Sequence, residues 1–251
     1  MEVTITILLS ILGLVFGSFF NVVGLRLPKN IPFANDRSIC PQCNHTLSWY
    51  ELIPVLSYFI QLGKCQHCKT TISPIYPIGE LVTGVFFTFS YVKLGLQPEL
   101  ITALLLVSML MIIFVADIKY MLIPNKVLLF FLPLLIVMRL VQPLDPWFSP
   151  ITGAIAGLII TAIIILFSKG GMGTGDMKLF GVLGIVLGLK GILLVFFLST
   201  IIGAIVGSLL LLFKIIDRKQ PIPFGPYIVV GALISYFWGN AIIDWYIKFS
   251  L

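Results

Sequence analysis

Two sets of residues could do chemistry in a sequence otherwise dominated by apolar side chains. One is a pair of aspartates at the edges of long hydrophobic runs; the other is four cysteines in two C-x-x-C pairs. Asp117 closes the run Met109-Leu110-Met111-Ile112-Ile113-Phe114-Val115-Ala116 and precedes Ile118-Lys119. Asp176 follows Gly170-Gly171-Met172-Gly173-Thr174-Gly175 and precedes Met177-Lys178-Leu179. A carboxylate at membrane depth is costly and by default marks function. Glycines let a backbone approach another chain closely, so a loop carrying Gly173 and Gly175 could present Asp176 to a peptide, with Lys178 beside it.

Two carboxylates at equal depth on different helices can share a proton and activate a water, one as base and the other as acid. Peptide-bond hydrolysis by water needs that pairing. Two other readings compete. Asp117 and Asp176 could simply pair with Lys119 and Lys178 at the water interface, or they could relay ions in a transporter. Transporters often carry inverted repeats, and no internal repeat is visible here.

The cysteines stand as Cys40-Pro41-Gln42-Cys43 and Cys65-Gln66-His67-Cys68, with 21 residues between the inner pair. Paired knuckles at this spacing point to a four-thiolate zinc site. Four thiolates leave no open ligand position, which makes the metal structural, folding a loop too small for its own core. His45 and His67 are spare ligands, and thiol redox chemistry is the alternative. Between the knuckles, Trp49 and Tyr50 interrupt a polar loop, resting either on the membrane surface or around the metal.

The elements that must position these groups follow from composition. The chain is 59% hydrophobic and only 10% charged, with a mean hydropathy of +1.11. A soluble domain carries about 25% charged residues, so this is an all-α polytopic membrane protein. The net charge of +6 reads as the basic bias of cytoplasmic loops rather than a nucleic-acid surface. Spans of about 20 apolar residues are expected near 3–25, 75–93, 99–117, 124–141, 150–168, 176–189, 191–213 and 225–247. The sixth is short, and a tight turn at Gly188-Leu189-Lys190-Gly191 separates it from the seventh. The first run lacks a basic flank before it and reads as an uncleaved span. Three regions result: a first helix over 1–25, a cysteine-rich loop over 26–74, and a membrane core over 75–251.

With the 26–74 loop in the cytoplasm, twelve of the sixteen Lys and Arg residues fall inside and four, Lys93, Arg139, Lys190 and Lys248, outside. That asymmetry sets the topology: both termini lie outside, and Asp117 and Asp176 share the inner face. The Asp217-Arg218-Lys219 turn reads as a solvated ion pair.

The same residues carry a resemblance that runs in order along nearly the whole chain. Its stretches are Gly17-Ser18-Phe19-Phe20-Asn21, Arg26-Leu27-Pro28, the two knuckles around Leu47-Ser48-Trp49-Tyr50-Glu51, and Tyr76-Pro77-Ile78-Gly79-Glu80-Leu81. Asp117 with Ile123-Pro124, Gly173-Thr174-Gly175-Asp176-Met177-Lys178-Leu179 and Ile222-Pro223-Phe224-Gly225-Pro226 complete it. Together they resemble the type IV prepilin peptidases, membrane aspartyl proteases of the bacterial cytoplasmic membrane that also N-methylate their product. The resemblance implies that Asp117 and Asp176 are the catalytic pair. It implies prepilin or pseudopilin substrates, cut after a glycine at the cytoplasmic face, and S-adenosylmethionine as methyl donor. Cys40, Cys43, Cys65 and Cys68 match the zinc-binding members. No glycine-rich nucleoside fingerprint is visible; Asn21, Arg26, Glu51 and Glu80 are the polar residues in matching stretches that could meet cofactor or substrate. For Glu80, an ion pair with Arg26 or Lys69 is the alternative. A presenilin-type protease would share G-x-G-D without the zinc loop or methylation.

Overall fold

The computed structural model describes residues 2–33, 38–167, 172–217 and 220–250. Asp36, Arg37, Lys169, Gly170, Gly171 and the Arg218-Lys219 of the expected ion-paired turn lie outside the described residues. The helices are α1 (Glu2–Arg26), a short α2 (Leu56–Ile60), α3 (Ile75–Leu94), α4 (Pro98–Tyr120), α5 (Asn125–Val141), α6 (Ser149–Phe167), α7 (Thr174–Leu212) and α8 (Gly225–Ser250). The all-helical membrane architecture expected from composition is what the chain adopts. Among the described residues, six helices are long and apolar enough to cross a membrane. That count takes α7 once and omits α5, which has 17 residues and carries Pro133 inside it.

The chain falls into two compact units, Met1–Val115 and Ala116–Leu251. In the first, α1 and α3 pack backbone to backbone. A Cβ on Gly13 would stand 2.8 Å from Gly84 Cα, and one on Gly17 would stand 2.7 Å from Glu80 Cα. Between membrane helices, where apolar surface alone gives little drive to associate, such close approach of small residues supplies the packing. A hydrogen bond of 2.7 Å between Ser10 and Thr88 ties the same pair.

In the second unit, α6 lies on α7 through Gly157, where a Cβ would come within 2.6 Å of the Phe180 carbonyl oxygen, and through the facing Gly153 and Gly184. α7 is a hairpin rather than a rod. Gly188 has φ 69° and ψ −176°, and the rings of Phe180 and Phe196 lie only 5.9 Å apart. Sixteen residues of straight helix would separate them by about 24 Å. The turn expected at Gly188 therefore exists, and the sixth and seventh apolar runs are the two arms of α7. Carbonyls in the last turn before a break lose their intrahelical partners; Arg139, buried on α5, donates from Nε to the Val186 oxygen at 2.8 Å. The Leu189 amide donates to Ser149 Oγ at 3.2 Å.

Candidate functional site

Asp117 sits in the last turn of α4, below a stretch from Leu106 to Ala116 that is nearly all buried. Its side chain is itself buried, and Oδ2 accepts a hydrogen bond from the Gly225 amide at 2.8 Å. Gly225 is the first residue of α8. The first N–H groups of a helix have no partner within it and carry the positive end of its dipole, so α8 begins by meeting a carboxylate. A Cβ on Gly225 would stand 2.6 Å from that oxygen. Met121, at φ 51°, ends α4 with its amide on the Asp117 carbonyl at 2.8 Å and turns the chain toward Ile123 and Asn125.

Asp176 occupies the third position of α7, behind the cap residue Gly173. Its Oδ2 accepts from the Gly173 amide at 3.1 Å, the reciprocal half of a capping box. Gly175 lies against Ile123, where a Cβ would stand 3.1 Å from the Ile123 Cβ. Asp117, Ile123, Asn125, Gly173, Gly175, Asp176 and Lys178 all line one cavity of about 260 Å³. Both predicted acids thus open on the same space, each gripped by a backbone N–H at the start of a helix. Lys178 donates to Asn125 Oδ1 at 3.0 Å on the exposed rim, so it engages a side-chain amide of α5.

The cysteine loop folds into two knuckles of the same design. Asn44 and Lys69, each four residues after the first cysteine of its pair, have φ of 54° and 60°. Their amides donate to the Cys40 and Cys65 carbonyls at 2.9 and 3.0 Å. Isolated bridges, Ile39 with Thr46 and Lys64 with Thr71, close both turns. The four Sγ atoms lie within 4.8 Å of one another and none is in a disulfide. Cys40 and Cys68 are 3.8 Å apart, and tetrahedral thiolates at about 2.3 Å from zinc would be separated by about 3.8 Å. The donor set fits a metal.

The Thr70 hydroxyl, 3.1 Å from Cys68, and the Thr70 amide hold that thiol down to about 6. Cys43 is drawn down by the His45 amide, but desolvation and its neighbouring sulfurs push it up to about 11. Four sulfurs this close resist becoming thiolates together; a cation at their centre removes the conflict. The His45 and His67 rings lie against each other, centroids 3.7 Å apart and tilted by 35°.

The four cofactor candidates serve the fold of the first unit. Asn21 donates to the Tyr76 carbonyl at 2.9 Å, and its Oδ1 is buried without a hydrogen-bond partner. Glu51 closes a capping box on the Ser48 amide at 2.8 Å. Arg26 donates to the Pro32 carbonyl at 3.1 Å. Glu80 accepts from the Val55 amide at 2.7 Å, a partner that neither alternative for it foresaw. Each of the four thus has a backbone partner within the first unit, and the Asn21 Oδ1 is the buried polar atom among them that is left open.

Comparison with known proteins decides the family. The bacterial peptidase A24 N-terminal domain matches residues 11–94, and the type IV leader peptidase family matches residues 104–208. A "Prepilin leader peptidase/N-methyltransferase" of Bacillus subtilis (strain 168) is 44% identical over 244 residues, covering 97% of this chain and 98% of its own. Proteins of the same name from Vibrio cholerae and Xanthomonas campestris are 35% and 33% identical, covering 94% and 95% of this chain and 98% and 93% of their own lengths. No solved structure matches. The chain belongs to the type IV leader peptidase family. That makes it an enzyme of the A24 aspartic peptidases. The leader peptidase match contains Asp117 and Asp176, and the A24 N-terminal match contains all four cysteines. Gly225, which holds Asp117, lies beyond both matches. In sequence, 108 residues separate it from its partner, and its only cue is the resemblance stretch Ile222-Pro223-Phe224-Gly225-Pro226. Asn125 and the buried Arg139 carry no such cue, Arg139 standing in sequence as one of the four outer charges.

Proposed function

We propose that the chain cleaves the short basic leader from type IV prepilins or pseudopilins, after a glycine at the cytoplasmic face of the bacterial inner membrane. It then N-methylates the new terminus with S-adenosylmethionine. The observation that carries the peptidase half is the convergence of Asp117 and Asp176 on one cavity. One carboxylate takes a proton from a water, whose oxygen adds to the scissile carbonyl carbon. The other delivers a proton, and the C–N bond breaks to a carboxylic acid and a free amine. The pair titrates as a unit, so the roles belong to both. Gly173 leaves room for the substrate backbone beside Asp176, Gly175 seats that turn on Ile123, and Lys178 stands at the rim.

Cys40, Cys43, Cys65 and Cys68 hold one Zn2+, which closes the cytoplasmic loop and takes no part in bond cleavage. The methylation reading rests on the names of the relatives. Incubation of the purified protein with a prepilin and S-adenosylmethionine, followed by mass spectrometry, tests both halves. Leader loss with one added methyl supports the whole proposal. Leader loss alone overturns the methylation and favours a presenilin-type protease. An unchanged prepilin overturns the peptidase and leaves a transporter or assembly role.

A further inference from the structure

The lobe between α1 and α3 carries an apolar face that neither the metal nor the acid pair uses. On α2 and the turn after it, Leu56, Phe59, Ile60 and Leu62 are 61%, 63%, 76% and 84% exposed, and Trp49 is 79% exposed. Leu56, Phe59 and Ile60 stand at the i, i+3, i+4 spacing that lines one helix face. Large apolar side chains grouped on an otherwise polar lobe mark an interaction surface.

The start of α2 is tied down. The Val55 amide donates to Glu80 Oε2 at 2.7 Å, and Val55 holds φ 63° and ψ −51°, a conformation that a β-branched residue adopts only under strain. Downstream, the Tyr58 ring covers Gly63, and the Gly63 amide donates to the Tyr58 carbonyl at 2.9 Å.

That tie fixes depth. α3 has 20 residues, about 30 Å of helix, which only just matches the hydrocarbon thickness of a bilayer. Ile75 therefore marks the boundary, and Glu80 lies about 7.5 Å inside it along the helix. Helical side chains lean toward the N-terminus, which brings the Glu80 carboxylate, and Val55 with it, back to the level of the first turn. A helix fastened there cannot stand clear of the headgroups. Charge agrees: Lys64 and Lys69 are exposed on the lobe, while Glu51 is buried and spent on the Ser48 amide.

We infer that α2 is an interfacial helix, with Leu56, Phe59, Ile60 and Leu62 seated at the headgroup–acyl boundary of the bilayer, so that the cysteine lobe rides on the membrane. An apolar face with basic residues nearby on the same lobe binds the lipid interface in this way. The test introduces p-benzoylphenylalanine at Ile60, and separately at Gln66 on the exposed second knuckle, in the full chain reconstituted into phosphatidylethanolamine–phosphatidylglycerol vesicles. After irradiation, lipid adducts several-fold more abundant at the first position than the second support the inference. Equal lipid labelling at both positions, adducts to a second copy or to other peptides of the same chain, or no adduct at Ile60 overturns it. Where the Ile60 variant elutes differently from the parent, Phe59 serves as the labelled position under the same criteria.

Discussion

The Gly225 amide and the Oδ2 oxygen of Asp117 stand 2.8 Å apart across 108 residues of chain, so the first residue of α8 holds the last-turn acid of α4. Gly225→Ala keeps the amide but places a methyl where the oxygen lies. A displacement of about 1 Å costs about 100-fold in rate. Purified Gly225→Ala should therefore cleave a prepilin with kcat reduced by about that factor and KM little changed. Parent-like kcat would show that the contact does not position the acid.

The acids themselves should be individually indispensable. Asp117→Asn and Asp176→Asn each remove a group able to exchange a proton, while the amide can still accept the Gly225 or Gly173 bond. Both variants should insert, keep their metal, and show cleavage at background in a gel assay. Residual turnover in either would end the shared-water mechanism.

Metal content follows from the sulfurs. The parent should carry about one zinc per chain, and Cys40→Ser should lose it. The loop between α1 and α3 should then become sensitive to protease, because the metal replaces a core that so short a segment cannot build. Metal analysis with limited proteolysis reads both outcomes; active, fully folded, metal-free parent would refute a structural zinc.

Lys178 and Asn125 form an exposed pair at the cavity rim, and such pairs are worth about 1 kcal/mol or less. Lys178→Ala should raise KM for a prepilin by less than about fivefold with kcat unaltered, as measured by initial rates.

Packing between α6 and α7 gives a stability test. Gly157→Val would drive a side chain into the Phe180 carbonyl. Overpacking of this kind costs about 1–3 kcal/mol, which should appear as a lowered Tm in detergent, with the metal retained.

Much of this was legible in the chain. Hydropathy and charge bias report depth, and depth was enough to nominate Asp117 and Asp176 for one face. Cysteine spacing was enough for the knuckles, and Gly188 marked the bend of α7. What could not be read were meetings between distant backbone atoms. Arg139 looked like one more outer charge because its partner is a carbonyl freed by a helix break 47 residues on. The polar type of Asn21 and Glu80 is visible in the chain, but their bonds to the Tyr76 carbonyl and the Val55 amide are not. The Gly13-x-x-x-Gly17 and Gly153-x-x-x-Gly157 spacings were present and informative, since small residues four apart mark close helix contact.

Both acids are held by main-chain donors, and that shapes how the site can fail. Truncating a side chain to alanine leaves every amide in place, so a scan that removes atoms would pass over the grip on Asp117 and Asp176. The grip gives way to additions. Vulnerability is therefore concentrated at Gly225, where even one carbon is an intrusion, and mutational surveys of this enzyme should look for sensitivity to bulk rather than to loss.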